Sequence, residues 1–290
     1  MDLSTAPNIS PSANAVEIDG AAFADAFARR SIAVRHRLAD HPLFTLDAIA
    51  ELADRLPPES VRRERGDLPL ANSGFGYVDV GTGPPSETVR NVEQAGVRIS
   101  LRDIQQAPEY AELINECLDE VAELVSRREG GMTHRAGYLF ISCPASTTPM
   151  HFDVEHSFLL QVKGTKHVSV ATFEDDPILR HAELDRYIDG EECDFEAMQN
   201  AAETTRLEAG IGVYLPSFVP HWVETEGGVS ISFSIPFFTA YTERAEGVSR
   251  INRRLRQLHL SPRPLGVSQR VDTTKVVAFR SLQKMRKHTG

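Results

Sequence analysis

The sequence predicts an antiparallel β-sandwich or barrel backed by helices, the arrangement reached when helices come first and a dense run of short strands follows. Three observations predict it. The first 134 residues carry mainly the three- and four-residue apolar spacing of helices. After residue 135, eight short runs rich in β-branched and aromatic residues succeed one another, several parted by turn signals such as KGT, EAG and EGG. The 290 residues are 41% hydrophobic and 25% charged, which suffices to bury a core of that kind.

The elements follow in order. Residues 1–20, MDLSTAPNISPSANAVEIDG, have neither a basic flank nor an apolar stretch, so they do not read as a secretory signal but as a disordered lead-in. AAFADAFARRSIAVRHRLA (21–39) and LFTLDAIAELADRL (43–56) read as amphipathic helices, the second ended by Pro57 and Pro58. Residues 65–97 are rich in Gly, Pro and Ser and read as loops, with one candidate strand at GYVDV (76–80). PEYAELINECLDEVAELVSRR (108–128) is a helix that Pro108 opens and Gly130 and Gly131 stop. Residues 21–134 are therefore expected to form a helical region packed on the barrel.

The strand region spans 135–238. Its runs are AGYLFIS, PMHFD, HSFLLQVK, KHVSVATF, TRLEA, GVYLP, PHWVET and VSISFSIPFF. In the last of these, Val229, Ile231, Phe233 and Ile235 share one face, and Ser230, Ser232 and Ser234 share the other; the serine face is open to two readings, cavity lining or water. An acidic insert at 174–208, with twelve acids against three arginines, interrupts the strands. Residues 239–260 return to helical spacing, clearest in INRRLRQLHL, and the last thirty, with Pro262 and Pro264, read as an extended tail. Residues 244–290 carry twelve Lys and Arg against two acids, although the whole chain is at −10. Solvated surfaces that touch each other explain this polarity; a tail with an anionic partner or a dimer role is the alternative.

Several function classes drop out. No apolar run approaches a membrane span. No nucleic-acid-binding motif accompanies the basic tail, so nucleic acid is not an expected partner. Cys117, Cys143 and Cys193 are odd in number and widely spaced, forming neither a disulfide framework nor a Cys-x-x-Cys site. A reducing, cytoplasmic compartment is expected.

The chemistry concentrates in TPMHFDVEH (148–156). On a strand His151 and Asp153 point the same way, one pleat apart; Glu155 shares their parity and His156 does not. A further ligand must come from elsewhere. His167 has no marked surroundings, and His181 in the acidic insert reads as exposed. His221, between Pro220 and Trp222, lies in a constrained apolar place where an imidazole needs a partner. His151, Asp153 and His221 together make a two-histidine, one-carboxylate set, the facial arrangement of non-haem Fe(II) oxygenases. Ligand type alone leaves Zn, Mn and Ni open, and histidines satisfied within a β core explain the spacing equally well.

TPMHFDVEHSFLLQVKGTKHVSV (148–170) and GVYLPSFVPHWVETEGGVSISFSI (212–235) together resemble the Jumonji-C and cupin-like branch of Fe(II)/2-oxoglutarate-dependent oxygenases. The pattern is nearest to the asparaginyl-hydroxylase type and to bacterial cupin-like proteins of unknown substrate. Thr-Pro-x-His-x-Asp, Gln-x-x-Gly-x-Lys, a proline with a histidine five residues on, then Gly-Gly and an alternating strand occur in that order. The resemblance covers roughly 135–238 and implies a double-stranded β-helix (jelly-roll) core in a mainly β chain with flanking helices. It implies Fe(II) on His151, Asp153 and His221. It implies 2-oxoglutarate as cosubstrate, its distal carboxylate held by Lys166 and the Thr148 hydroxyl, with Lys163 as the alternative cation. Tyr138 and Ser234 line the same pocket in this alignment, and Glu155, His156 and Ser157 lie at its mouth as candidate substrate contacts. Where the asparaginyl-hydroxylase type tends to carry Asn, this chain has Ser157 and Ser234, so its substrate does not transfer. The implied reaction is hydroxylation of an unactivated C–H bond in a peptide, an amino acid or a natural-product intermediate. A cupin-type metalloenzyme without 2-oxoglutarate and a non-catalytic binding module are the alternatives. Related oxygenases also suggest a homodimer through the C-terminal helix, with a helix packed on its own barrel as the equal alternative.

Overall fold

Two long strands organise the fold. The computed structural model describes residues 15–70, 79–171, 181, 184–187 and 195–288. In chain order its elements are β1 (Val16–Glu17), α1 (Gly20–Ala26), β2 (Ile32–His36), α2 (Leu46–Arg55), β3 (Val61–Arg65), α3 (Pro85–Arg90), α4 (Val92–Ala95), β4 (Val97–Leu101), α5 (Pro108–Glu129), β5 (Met132–Arg135), β6 (Tyr138–Ser142), β7 (Thr147–Phe152), β8 (His156–Ala171), α6 (Phe195–Asn200), β9 (Ala202–Leu207), β10 (Ile211–Leu215), β11 (Pro220–Thr239), α7 (Ala240–Gln257) and α8 (Gln269–His288). Among the described residues no helix is long and apolar enough to cross a membrane.

β8 and β11 pair antiparallel from His156↔Phe237 to Val170↔His221. Their register breaks between Glu226 and Ile231, where β8 passes through Gly164 at φ +73°. A Cβ on Gly164 would lie 2.5 Å from the Val229 carbonyl oxygen, so the left-handed backbone and the close approach both require glycine. KGT and EGG, which read as turns between separate strands, are thus irregularities inside two continuous ones.

Each half of this pair builds its own ladder. The first half of β8 takes β10, β2 and β1, and the second half of β11 takes β6, β4 and β3, with β5 also alongside. The second half of β8 takes β9, and the first half of β11 takes β7. A larger and a smaller ladder that share two strands form the jelly roll expected, mainly antiparallel β with flanking helices.

Three apolar cores hold the layers. On the outer face of the larger ladder, Phe23 of α1, Leu52 of α2 and Leu118 of α5 pack with Phe158, Phe233 and Phe237. The buried positions of α5, from Tyr110 through Leu113, Ile114, Cys117, Leu118 and Val121 to Val125, repeat every three or four residues and form the inward stripe. Inside the barrel lie Leu159, Val168, Val170, Val213, Leu215 and Val223. Behind the smaller ladder, Met150, Phe152 and Trp222 meet Ala245 and Val248 of α7. Burial of each large apolar side chain contributes roughly 1.5–3 kcal/mol. The serine face of β11 points into the barrel, with all three serines buried. Gln161 Nε2 donates to Ser230 Oγ at 2.8 Å, and Ser232 Oγ donates to Gln161 Oε1 at 2.7 Å.

The structure corrects three sequence expectations. The run 21–39 is not one helix: it is helical only to Ala26, and 32–36 is a strand whose burial alternates, with Val34 and His36 inward. The N-terminal region therefore supplies strands as well as helices, since β2, β3 and β4 all join the larger ladder. The segment after Pro264 is not an extended tail, because 269–288 is helical and lies on α7, where Phe279 sits against Gly247. Most of GYVDV lies outside the described residues, as does Cys193; Cys117 and Cys143 are buried free thiols. Insert and basic segment do touch: Arg256 Nη1 pairs with Asp185 Oδ2 at 3.0 Å.

Candidate metal centre

β7 and β11 run side by side at one end of the smaller ladder, with His151 directly opposite His221. Their ring centroids are 4.2 Å apart. Asp153, just beyond β7, is held by its carbonyl, which accepts from Phe218 N at 2.7 Å. Its carboxylate lies between the two rings, 3.9 Å from His151 Nε2 and 3.5 Å from His221 Nε2. Ligand atoms of the three residues all fall within 4.8 Å of one another, the spacing of groups around one ion.

Backbone carbonyls orient both imidazoles. His151 Nδ1 lies 2.8 Å from Pro149 O, and His221 Nδ1 lies 3.0 Å from Val219 O. A carbonyl only accepts, so both Nδ1 atoms carry a proton, and both Nε2 atoms face the Asp153 carboxylate. Burial, with His221 adding to it against the opposing pull of Asp153, holds His151 down to about 4, so its imidazole is neutral and ready to ligate at neutral pH.

The triad opens on a cavity of about 280 Å³ that Thr148, Lys166, Tyr138, Ser157, Ser234 and Glu155 also line. Thr148 reaches it through an irregularity. Between His151↔His221 and Thr148↔Val223, β7 spends one residue more than β11, and this bulge turns Thr148 to the triad's side. Lys166 shares its face of β8 with Val168 and Val170 inside the barrel and is 4% exposed. Among the described residues it has no carboxylate within ion-pair distance; its ammonium lies 5.9 Å from the Phe140 ring centroid. Burial, with Arg98 adding to it, lowers it to about 7. Ser157 and Ser234 hydroxyls meet across β8 and β11 at 2.8 Å. Burial pushes Tyr138 up to about 12, so its hydroxyl stays a donor. Burial, with Asp153 next, likewise raises Glu155, to about 8.

Other candidates fall elsewhere. Lys163 is exposed at the bend and does not line the cavity. His156 does not reach it either, a correction to its reading as a substrate contact. Its ring is fully buried on the far side of β8, where Nδ1 accepts from Ser217 N and the Tyr214 hydroxyl and Nε2 donates to Glu129 at 3.1 Å. His167 sits at the surface beside Glu226. His181 is buried rather than exposed, with Nε2 2.7 Å from the Tyr241 hydroxyl. The cavity also holds residues the sequence reading missed, Arg62, Glu64, Arg98 and Arg102. Arg98 pairs with Glu64 at 2.8 Å and donates to the Thr148 hydroxyl. The period-two run VRISLR (97–102) was the available signal, since it puts Arg98, Ser100 and Arg102 on one face.

Comparison with known proteins follows from this geometry. No curated protein matches the chain by sequence. Among solved structures it is similar to YcfD, a ribosomal oxygenase from Escherichia coli, at 16% identity and a TM-score of 0.49, covering 92% of this chain and 66% of that one. It is also similar to YcfD in complex with cobalt and 2-oxoglutarate, at 14% identity and a TM-score of 0.46, again covering 92% and 66%. The chain thus spans about two-thirds of the length of these proteins. Residues 66–242, which hold the whole triad and most of both ladders, match the family described as the cupin-like domain, and the chain belongs to that family.

Proposed function

We propose that the chain is an Fe(II)- and 2-oxoglutarate-dependent oxygenase that hydroxylates an unactivated C–H bond in a small molecule or peptide. The observation that carries this reading is Lys166, a buried ammonium without a carboxylate partner among the described residues, in the cavity of a three-ligand cluster. A desolvated cation is costly unless an anion joins it, and a diacid chelating the triad's ion through one end would bring a carboxylate at the other.

The residues fit both groups. Two imidazoles and one carboxylate suit Fe(II) and leave coordination positions for a cosubstrate. When bound, iron, 2-oxoglutarate and O₂ supply the oxidant that puts an oxygen atom into a C–H bond, with succinate and CO₂ released. The chain's own part is positional. Lys166 and the Thr148 hydroxyl would hold the distal carboxylate: Thr148 Oγ1 accepts from Arg98, so its own proton remains to donate. Tyr138, Ser157 and Ser234 give the cavity wall hydrogen-bonding groups.

Anaerobic titration with Fe(II) and 2-oxoglutarate, followed by succinate assay in air, tests the reading. The wild type should bind both and form succinate, and His151→Ala should lose metal and turnover together. A protein that binds neither sinks the proposal. Metal binding that ignores 2-oxoglutarate and is indifferent to Lys166→Ala would indicate a metalloenzyme of another kind, and binding without succinate a non-catalytic module.

A further inference from the structure

Among the cations on the cavity wall is one that neither the metal nor the cosubstrate uses. Arg102 follows β4 directly, and its backbone N–H is fixed by a 2.7 Å bond to Ser60 O. One step past the Leu101↔Leu139 pair, its side chain comes beside Tyr138, with the guanidinium carbon 5.0 Å from the ring centroid. Its Nε is shut off from water and has no hydrogen-bond partner among the described residues. The other charges on the wall leave it so. Glu64 is taken by Arg98, Asp153 faces the two imidazoles, and Glu155 lies beyond ion-pair distance of Arg102. A guanidinium does not shed its proton, and a partly desolvated one without a counter-charge is a cost the fold carries.

The cosubstrate cannot be its partner as well. Arg98 and Arg102 lie on one face four residues apart, their Cα atoms roughly 13 Å from one another at the strand rise of about 3.3 Å per residue. Arg98 touches Thr148, and its charge acts on Lys166, so these three form one polar end of the cavity. The charge of Arg102 acts on Tyr138 and Glu155, on the far side of it, as well as on Arg98. A diacid with one end on the triad's ion and its distal carboxylate on Lys166 and Thr148 has no carboxylate left for Arg102.

We propose that Arg102, backed by the Tyr138 ring, is the anchor for an anionic group of the substrate, and that this group is a carboxylate. The guanidinium fork offers parallel N–H donors to the two oxygens of a planar, singly charged anion. The proposal rests on the oxygenase reading for the reaction performed, and on the cavity alone for the anchor. It narrows the substrate to a small carboxylic acid or an acidic side chain.

The test uses the full chain loaded with redox-inert Zn(II) and N-oxalylglycine, which occupies the cosubstrate end. Calorimetry compares free L-amino acids and simple aliphatic and aromatic monocarboxylic acids with their primary amides, and with end-blocked tripeptides containing Asp or Glu. At least one acid should bind about tenfold more tightly than its amide. Arg102→Met should erase that difference, and Arg102→Lys should keep part of it. Blocked acidic peptides binding in place of the free acids would assign the carboxylate to a side chain. A panel in which no acid or acidic peptide exceeds its neutral counterpart, or a preference that survives Arg102→Met, overturns the anchor. Succinate assay with Fe(II) separates the two claims: acid preference without succinate sinks the oxygenase and keeps the anchor, and succinate without acid preference does the reverse.

Discussion

Lys166 should make ligand binding depend on pH. Burial and Arg98 lower its pKa to about 7, well under the 10.5 of a free lysine, so above pH 7 the empty cavity holds a neutral amine. A carboxylate needs the ammonium, so binding a diacid there raises the lysine pKa and takes up a proton. Affinity for 2-oxoglutarate should therefore be highest below about pH 7 and fall as pH rises above it, by up to about tenfold per unit until the pKa of the complex is reached. Calorimetry at pH 8 in buffers of different ionisation enthalpy should show uptake approaching one proton. Lys166→Arg, which stays charged, should bind without that uptake. Uptake that is absent in the wild type, or unchanged in Lys166→Arg, would remove Lys166 from the site. At this scale the sequence was informative where local pattern decides. Period-two parity paired His151 with Asp153, and the proline-flanked setting singled out His221. It was silent where partners are distant: Glu129, which occupies His156, is 27 residues upstream, and no local pattern names it. Thr148 is of the wrong parity for His151, and only a bulge brings it round.

The bend shared by β8 and β11 sets the angle between the ladders, and it depends on Gly164. Gly164→Ala meets two penalties at once. Left-handed backbone costs an alanine about 1–2 kcal/mol, and a Cβ 2.5 Å from the Val229 carbonyl oxygen adds overpacking of about 1–3 kcal/mol. The expected loss is about 3 kcal/mol of unfolding free energy by urea titration, whereas Gly227→Ala, with open space around its Cβ position but a positive φ of 71°, should lose only the backbone part. Equal losses in the two variants would show that close approach at 164 does not matter. The same stretch shows why elements were only partly legible. Alternation in HSFLLQVK and VSISFSIPFF identified strands, but Gly-containing turns look alike whether a chain reverses or bends. In 21–39 the helical spacing of Phe23 and Phe27 carried over into SIAVRH, whose alternation is only five residues long. In α8 the inward face includes Asp272 and Lys275, so a buried helical stripe is disguised as a charged tail.

On the scale of the whole molecule, the three cores are not independent. The helical layer packs on the second half of β11, the barrel interior uses both strands, and α7 packs behind Trp222 on the first half of β11, next to His221. The C-terminal helices are tied in further by Asp185, whose Oδ2 accepts from Arg256 at 3.0 Å and from Asn252 at 3.2 Å. Asp185 is 11% exposed and Arg256 29%, so screening by salt is weak on one partner and moderate on the other. Asp185→Ala removes the acceptor of both bonds and leaves the Arg256 and Asn252 donors of α7 without it, at an expected cost of about 2 kcal/mol, within the range for hydrogen bonds to charged groups. Because β11 links that backing to the metal centre, the loss should not stay local. Helical circular dichroism and release of Co(II) from the triad should follow one denaturation curve in the wild type, and Asp185→Ala should move both to the same lower midpoint. A hairpin of α7 and α8 that melts while Co(II) stays bound would mean that the C-terminal helices are a separate unfolding unit and that β11 does not couple them to the metal site.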